Sequence, residues 1–207
     1  NRHPFIVENG AAIAIPNHYF SSLPQGGAEK SGFCIVTNSQ PRQHWNKLLE
    51  ENAQEFKDEF ETFTSIVHER GHKGIQDITG LSLYQAKLSN KREYSEPIHW
   101  HGSDQRKQAF IEQLTIAGGT LLQGGRFLSL GDKVSKGSTL VQLSKIYQQL
   151  NDHQAVHSLA IGDSGNDISM LEVATSAIII RSKTHLPPTL NRSNNLIISR
   201  DYGPQGW

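Results

Sequence analysis

A single cysteine, Cys34, stands in a chain of 207 residues. That excludes an internal disulfide and any cysteine-rich zinc site, and it suits a reducing compartment. Net charge is lacking as well, because 20 basic and 20 acidic side chains cancel. Without a global field there is no footing for nucleic acid or an anionic membrane, and a small molecule is the expected partner. No apolar run approaches the roughly 20 residues that span a bilayer, and the first residues lack the basic and apolar regions of a signal peptide. The expected location is cytoplasmic. Methionine is missing from position 1, where Asn1 stands, and strand-like residues follow at once from Pro4 to Val7. The expectation is a chain that starts inside a longer protein. The 36% hydrophobic content is adequate for a buried core, in one large domain or two small ones.

The pattern along the chain changes character twice. "PFIVENGAAIAI" reads as a hairpin turning at Asn9 and Gly10, "LPQGGAEKSG" as loop, and Phe33 to Thr37 as a strand. From Arg42 to about Glu69, Trp45, Leu48, Leu49, Phe56, Phe60 and Phe63 recur at helical spacings, predicting one long helix or two. Thr79 is placed to cap a helix over Gly80–Leu88, Pro97 to His101 alternates like a strand, and Asp104 is placed to cap Gln105–Ala117. Thr120–Gln123 and Arg126–Leu130 pair as strands around Gly124 and Gly125. This middle part is an α+β module. The C-terminal part follows a βαβ pattern instead.

Two features there carry chemistry. In "DKVSKGSTLVQLSKIYQQL" an apolar stripe begins a helix near Ser135 or Lys136, which leaves the lysine at the positive end of the helix. A cation is unfavourable there unless an anion such as phosphate sits between it and the free N–H groups. The plain alternative is a solvated first-turn lysine. In "IGDSGNDISMLEV", Asp163 and Asp167 flank a Ser-Gly-Asn turn between a strand reading, Val156–Gly162, and an amphipathic helix. Both carboxylates then project beyond the carboxyl end of a strand, where open α/β sheets bind ligands. Acidic residues before a helix also serve simply as caps. As a metal site, hard oxygen donors of this type suit Mg²⁺.

The order "SKG" at a helix start, then a strand, then "GDSGNDISMLE", then "AIII" resembles the third and fourth motifs of the haloacid dehalogenase superfamily of phosphatases. With "FIVENGA", "TGLSLYQAKLSNKREYSEP", "GGRFLSLGDKVSKG" and "DYGPQGW", nearly the whole chain is similar to the mannosyl-3-phosphoglycerate phosphatase family. The resemblance implies an α/β fold: a doubly wound, Rossmann-like core over residues 1–40 and 130–207, with an inserted α+β cap domain over 41–129. It implies Asp163 as a Mg²⁺ ligand, Asp167 as a metal-site residue that orients the ion's waters and the lysine, and Lys136 on the phosphoryl oxygens. Arg92, Glu96, Gly125 and Arg126 in the cap motifs, with Asn166, would face the phosphoglycerate or sugar of a small-molecule substrate. The resemblance also implies a nucleophilic aspartate in a D-x-D motif, forming an aspartyl-phosphate. Aspartates occur at 58, 77, 104, 132, 152, 163, 167 and 201, and no pair has that spacing. The expectation is therefore a phosphatase chain without its nucleophile, the core being incomplete. Another sugar phosphate as substrate, or a non-catalytic sugar-phosphate-binding remnant, stays open. His99 and His101 would share one face of their strand. No third ligand is evident nearby in sequence, and a surface or packing role is the expectation for both.

Overall fold

A computed structural model of the chain describes residues 2–150 and 154–207. Asn1, on which the reading of an interior start rests, lies outside them. The chain forms two compact units: residues 1–38 with 134–207, and residues 39–133.

In the first unit, β1 (Phe5–Val7), β2 (Ala12–Pro16), β3 (Ala28–Lys30) and β4 (Phe33–Thr37) form an antiparallel sheet in the order β1-β2-β4-β3. The expected hairpin is there, with Phe5 opposite Ala14 and Val7 opposite Ala12. Its turn is a short 3-10 segment, Glu8–Gly10, with Asn9 at φ 59° and Gly10 at φ 114°. β3 corrects the reading of that stretch as loop. It is an exposed three-residue edge strand, too short and polar to leave a periodic signal. The later segments α5 (Lys136–Leu150), β9 (Leu159–Gly162), α6 (Ile168–Val173), β10 (Ser176–Arg181) and β11 (Leu196–Tyr202) complete the unit. β9, β10 and β11 are parallel neighbours in the order β11-β10-β9. The β9–α6–β10 crossover is the expected Rossmann-like element, although the strand starts at Leu159, later than Val156. Ile13, Ile15, Cys34, Val36 and Ile146 form one buried cluster, and Ala160, Leu171, Ala174, Ala177 and Ile179 another.

In the second unit, α1 (Arg42–Asn52), β5 (Phe60–Thr62), α2 (Phe63–Thr79), α3 (Leu83–Ser89), β6 (Glu96–Trp100), α4 (Asp104–Ile116), β7 (Thr120–Gly124) and β8 (Phe127–Gly131) build an antiparallel sheet, β5-β6-β8-β7, with four helices. The helical reading over 42–69 is corrected by β5. Phe56, Phe60 and Phe63 keep helical spacing in sequence, yet Phe60 sits on the strand, opposite Trp100. Burial against the core sets that spacing, and a strand residue can meet it. α2 then starts at a Thr62–Ser65 capping box. Thr79 ends α2 rather than capping a new helix, because Gly80 at φ 76° is a left-handed stop; Ser82 caps α3. Ser103, not Asp104, caps α4, its hydroxyl accepting from the Arg106 N–H at 3.2 Å. Trp45, Leu48, Phe56, Ile98, Phe110, Leu114 and Leu128 are among the buried residues of its main core.

Two close approaches fix the start of α5 within its unit. A Cβ on Gly137 would lie 2.1 Å from the Ser169 carbonyl oxygen, so α5 and α6 touch backbone to backbone there. The Gly137 N–H also donates to Ser169 Oγ at 3.1 Å. Gly10 faces Ser135 the same way, with a virtual Cβ 2.4 Å from its carbonyl oxygen, and its own carbonyl accepts from Thr139 Oγ1 at 2.8 Å. The "ENG" turn is thus a wedge under α5. Gly137→Ala is expected to cost about 1–3 kcal/mol by overpacking, read by urea unfolding. Gly165→Ala, where a Cβ meets nothing within 4 Å, is the control and should stay near wild type.

Candidate active site

Gly162 ends β9, and the chain then folds back on itself. A Cβ at Gly162 would lie 2.6 Å from Asp167 Cβ and 2.8 Å from its carboxylate, so only glycine leaves room for Asp167 to swing under the strand end. Residues Gly165–Asp167 form a 3-10 turn that runs into α6. Asp167 Oδ2 accepts from the N–H groups of Asp163 at 3.2 Å and Ser164 at 3.4 Å. The Ser164 hydroxyl lies 2.7 Å from Asn166 Oδ1 and 3.3 Å from Asp167 Oδ2, and donates to one at a time. The other oxygen, Asp167 Oδ1, receives Lys136 Nζ at 2.7 Å. The lysine reaches it because Gly137 has docked the start of α5 on α6.

The Lys136–Asp167 pair is largely enclosed, with side chains 27% and 8% exposed. Burial alone would raise the Asp167 pKa. The hydrogen bond and charge of Lys136, with the backbone N–H groups of Asp163 and Ser164, outweigh burial and hold it below the ordinary value of 3.8. The cation that looked unfavourable at a helix start is therefore balanced by a carboxylate.

Asp163 is placed differently. Its side chain is 46% exposed, and among the described residues its one ion-pair neighbour is His185 Nε2 at 3.9 Å. The Asp163 carboxylate is itself a hard oxygen donor, and one open carboxylate with a substrate phosphate is a common way to hold Mg²⁺. Mg²⁺ therefore fits at Asp163. Asp167 holds Lys136 through Oδ1 and the Asp163 and Ser164 N–H groups through Oδ2. His185 was not anticipated. It lies beyond β10 in a stretch with no periodic pattern, and only the fold brings it near Asp163.

The expected substrate-facing residues are not all alike. Asn166 and Gly125 are exposed, Gly125 at φ 48° in the β7–β8 turn. The Arg126 guanidinium donates to the Thr79 carbonyl at 2.7 Å, and Arg92 Nη1 to Ser95 Oγ at 3.1 Å. Glu96 is fully buried. Its carboxylate accepts from Arg42 Nε at 2.6 Å, Arg42 Nη2 at 2.8 Å, the Thr64 N–H at 3.1 Å and Thr64 Oγ1 at 2.6 Å. Four internal donors make Glu96 an anchor between α1, α2 and β6 in this structure. Arg42, which joins it in a two-point ion pair, carried no motif and read only as the first residue of a helix.

Residues 37–186 match the family of haloacid dehalogenase-like hydrolases. The chain belongs to that family. It is 27% identical over 210 residues to the glucosyl-3-phosphoglycerate/mannosyl-3-phosphoglycerate phosphatase of Methanococcoides burtonii, covering 99% of this chain and 73% of that protein. Its fold is similar to that of a haloalkanoate-superfamily phosphatase from Bacteroides thetaiotaomicron, with TM-score 0.52, 19% identity, and coverage of 85% of this chain and 62% of that one. A solved protein of Thermotoga maritima gives TM-score 0.51 at 13% identity, over 92% of this chain and 68% of the other. The chain thus spans about two thirds of these solved chains. Their likeness supports the α/β class with a Rossmann-like core.

Lys136→Met tests the pair. A group whose folded pKa is depressed contributes stability that is present above the unfolded value and lost as pH falls through the folded one. Losing the charged partner costs about 1.5–3 kcal/mol, offset by about 0.3–1 kcal/mol from relieving the helix dipole. The expected result is a net loss of roughly 1–2 kcal/mol at pH 7 that shrinks as pH drops below about 4, read by urea unfolding across pH.

Proposed function

We propose that this chain supplies the charge-neutralising half of a phosphoryl-transfer site, in a Mg²⁺-dependent phosphatase acting on mannosyl-3-phosphoglycerate or a related glycosyl-phosphoglycerate. The observation that carries this reading is the juxtaposition of an oriented ammonium, a helix start and an open carboxylate at one strand end. Lys136 Nζ keeps donor capacity beyond its bond to Asp167, and Asp167 fixes where that ammonium points. The Gly137, Ser138 and Thr139 N–H groups are already engaged by Ser169 Oγ, Ser135 Oγ and the Ser135 carbonyl, so it is the positive end of the α5 dipole that favours an anion beside the lysine. Mg²⁺, when bound at Asp163, supplies positive charge beside a phosphoryl oxygen. Phosphoryl transfer needs mainly positioning and neutralisation of charge on the equatorial oxygens, which is what these residues offer. The likeness to the Methanococcoides burtonii phosphatase supports the substrate class.

The nucleophile belongs elsewhere in this reading. The 207 residues contain no D-x-D, and an aspartate from such a motif outside them would attack phosphorus. Phosphate release from mannosyl-3-phosphoglycerate, with and without a chelator, tests it. The 207-residue chain should release none above buffer, and the chain preceded by a D-x-D segment should do so only with Mg²⁺. There, Asp163→Asn is expected to lower kcat by several orders of magnitude and raise the Mg²⁺ requirement. Asp167→Asn, which acts through the lysine, should cost about 10 to 100-fold, the range of groups that position others. Turnover by the 207-residue chain, or equal losses at both aspartates, would overturn the assignment.

A further inference from the structure

Glu61, His99 and His101 gather on one face of the second unit's sheet. β5 and β6 are antiparallel with Glu61 directly opposite His99, and His101 follows two residues on, so the strand's two-residue period turns all three the same way. The His101 N–H donates to the Glu59 carbonyl at 2.9 Å, which holds the pairing one step past the end of β6. One ligand atom from each of the three side chains lies within 4.8 Å of the others. The imidazole rings stand edge to face with centroids 5.1 Å apart.

We propose that Glu61, His99 and His101 form a binding site for a divalent ion of the zinc class. Two imidazoles are borderline donors, and with one carboxylate they make a set that favours such an ion over Mg²⁺ or Ca²⁺. His99 Nδ1 is buried and has no hydrogen-bond partner among the described residues. Glu61 Oε2 lies 3.8 Å from it, too far for a hydrogen bond. A buried polar atom without a partner is costly, and an ion between the two would give both a ligand bond. Tetrahedral bonds of about 2.0–2.1 Å put neighbouring donors about 3.3 Å apart, so the pair needs to close by only about half an ångström. Burial, then the neighbouring His101, lowers the His99 pKa and keeps its nitrogen available at neutral pH. The nearby cations do not block the site. Arg70 pairs with Glu61 through the other oxygen, Oε1, and so fixes the carboxylate's orientation, while Arg126 donates to the Thr79 carbonyl. The bound ion would tie the three-residue edge strand β5 to β6, with a fourth position left to water.

The test is a Co²⁺ titration of the protein carrying Asp163→Asn, which silences the oxygen site, followed by visible absorption and by displacement with Zn²⁺. One equivalent of Co²⁺ should bind with an imidazole-type spectrum and be displaced by Zn²⁺. His101→Gln, at an exposed position, should weaken it at least about tenfold, since even indirect ligand partners cost that much. Glu61→Gln should do likewise, and His157→Gln, at an exposed histidine just before β9 in the other unit, should change nothing. Absence of the Co²⁺ spectrum, or the same affinity in the His101 and Glu61 variants, would overturn the proposal.

Discussion

One charge pair, Lys136 with Asp167, sets what the strand end of the first unit can do. The lysine brings a full positive charge to the start of α5, where the dipole opposes it, and the carboxylate is enclosed where desolvation opposes it. Each is tenable because of the other. Three glycines serve that arrangement: Gly162 leaves space for the carboxylate, Gly137 lets α5 and α6 meet, and Gly10 seats the "ENG" turn under Ser135. The charged side chains there are few, and the backbone geometry that brings them together consumes most of the motif.

Inside the second unit Glu96 has the corresponding role. Its buried carboxylate gathers Arg42 from α1 and Thr64 from α2 onto β6. Removing one partner from such a site leaves an uncompensated buried charge, which is costly even without a ligand. A motif residue can thus be required for architecture, and Glu96 shows how the two requirements look alike in sequence. Arg92 and Arg126 are also engaged by neighbours of their own unit, while Gly125 and Asn166 are open to solvent.

Much of this was legible beforehand. The hairpin, β4, β6 and the β7–β8 pair are close to their expected bounds because alternation and Gly-Gly or Asn-Gly turns are local signals. The α5 start and the strand–turn–helix around Asp163 were legible for the same reason. β5 was not, since Phe60 satisfies a helical spacing while lying on a strand. Arg42 and His185 were invisible because their partners are distant in sequence. The third ligand atom beside His99 and His101 comes from Glu61, 38 residues earlier, brought there only by strand register. Short-range chemistry is readable along a chain, and cross-strand chemistry requires the sheet.

Binding of tungstate, a phosphate analogue, by wild type, Lys136→Met and Lys136→Arg most directly tests whether Lys136 and the start of α5 hold a phosphoryl group. Calorimetry should show Lys136→Met binding roughly 10 to 150-fold more weakly, the equivalent of losing one charge-assisted hydrogen bond of about 1.5–3 kcal/mol. Lys136→Arg should not restore it, because a planar guanidinium does not replace a compact ammonium. Wild-type affinity in the methionine variant, with stability alone reduced, would show that the lysine only neutralises Asp167 and would contradict the phosphoryl site.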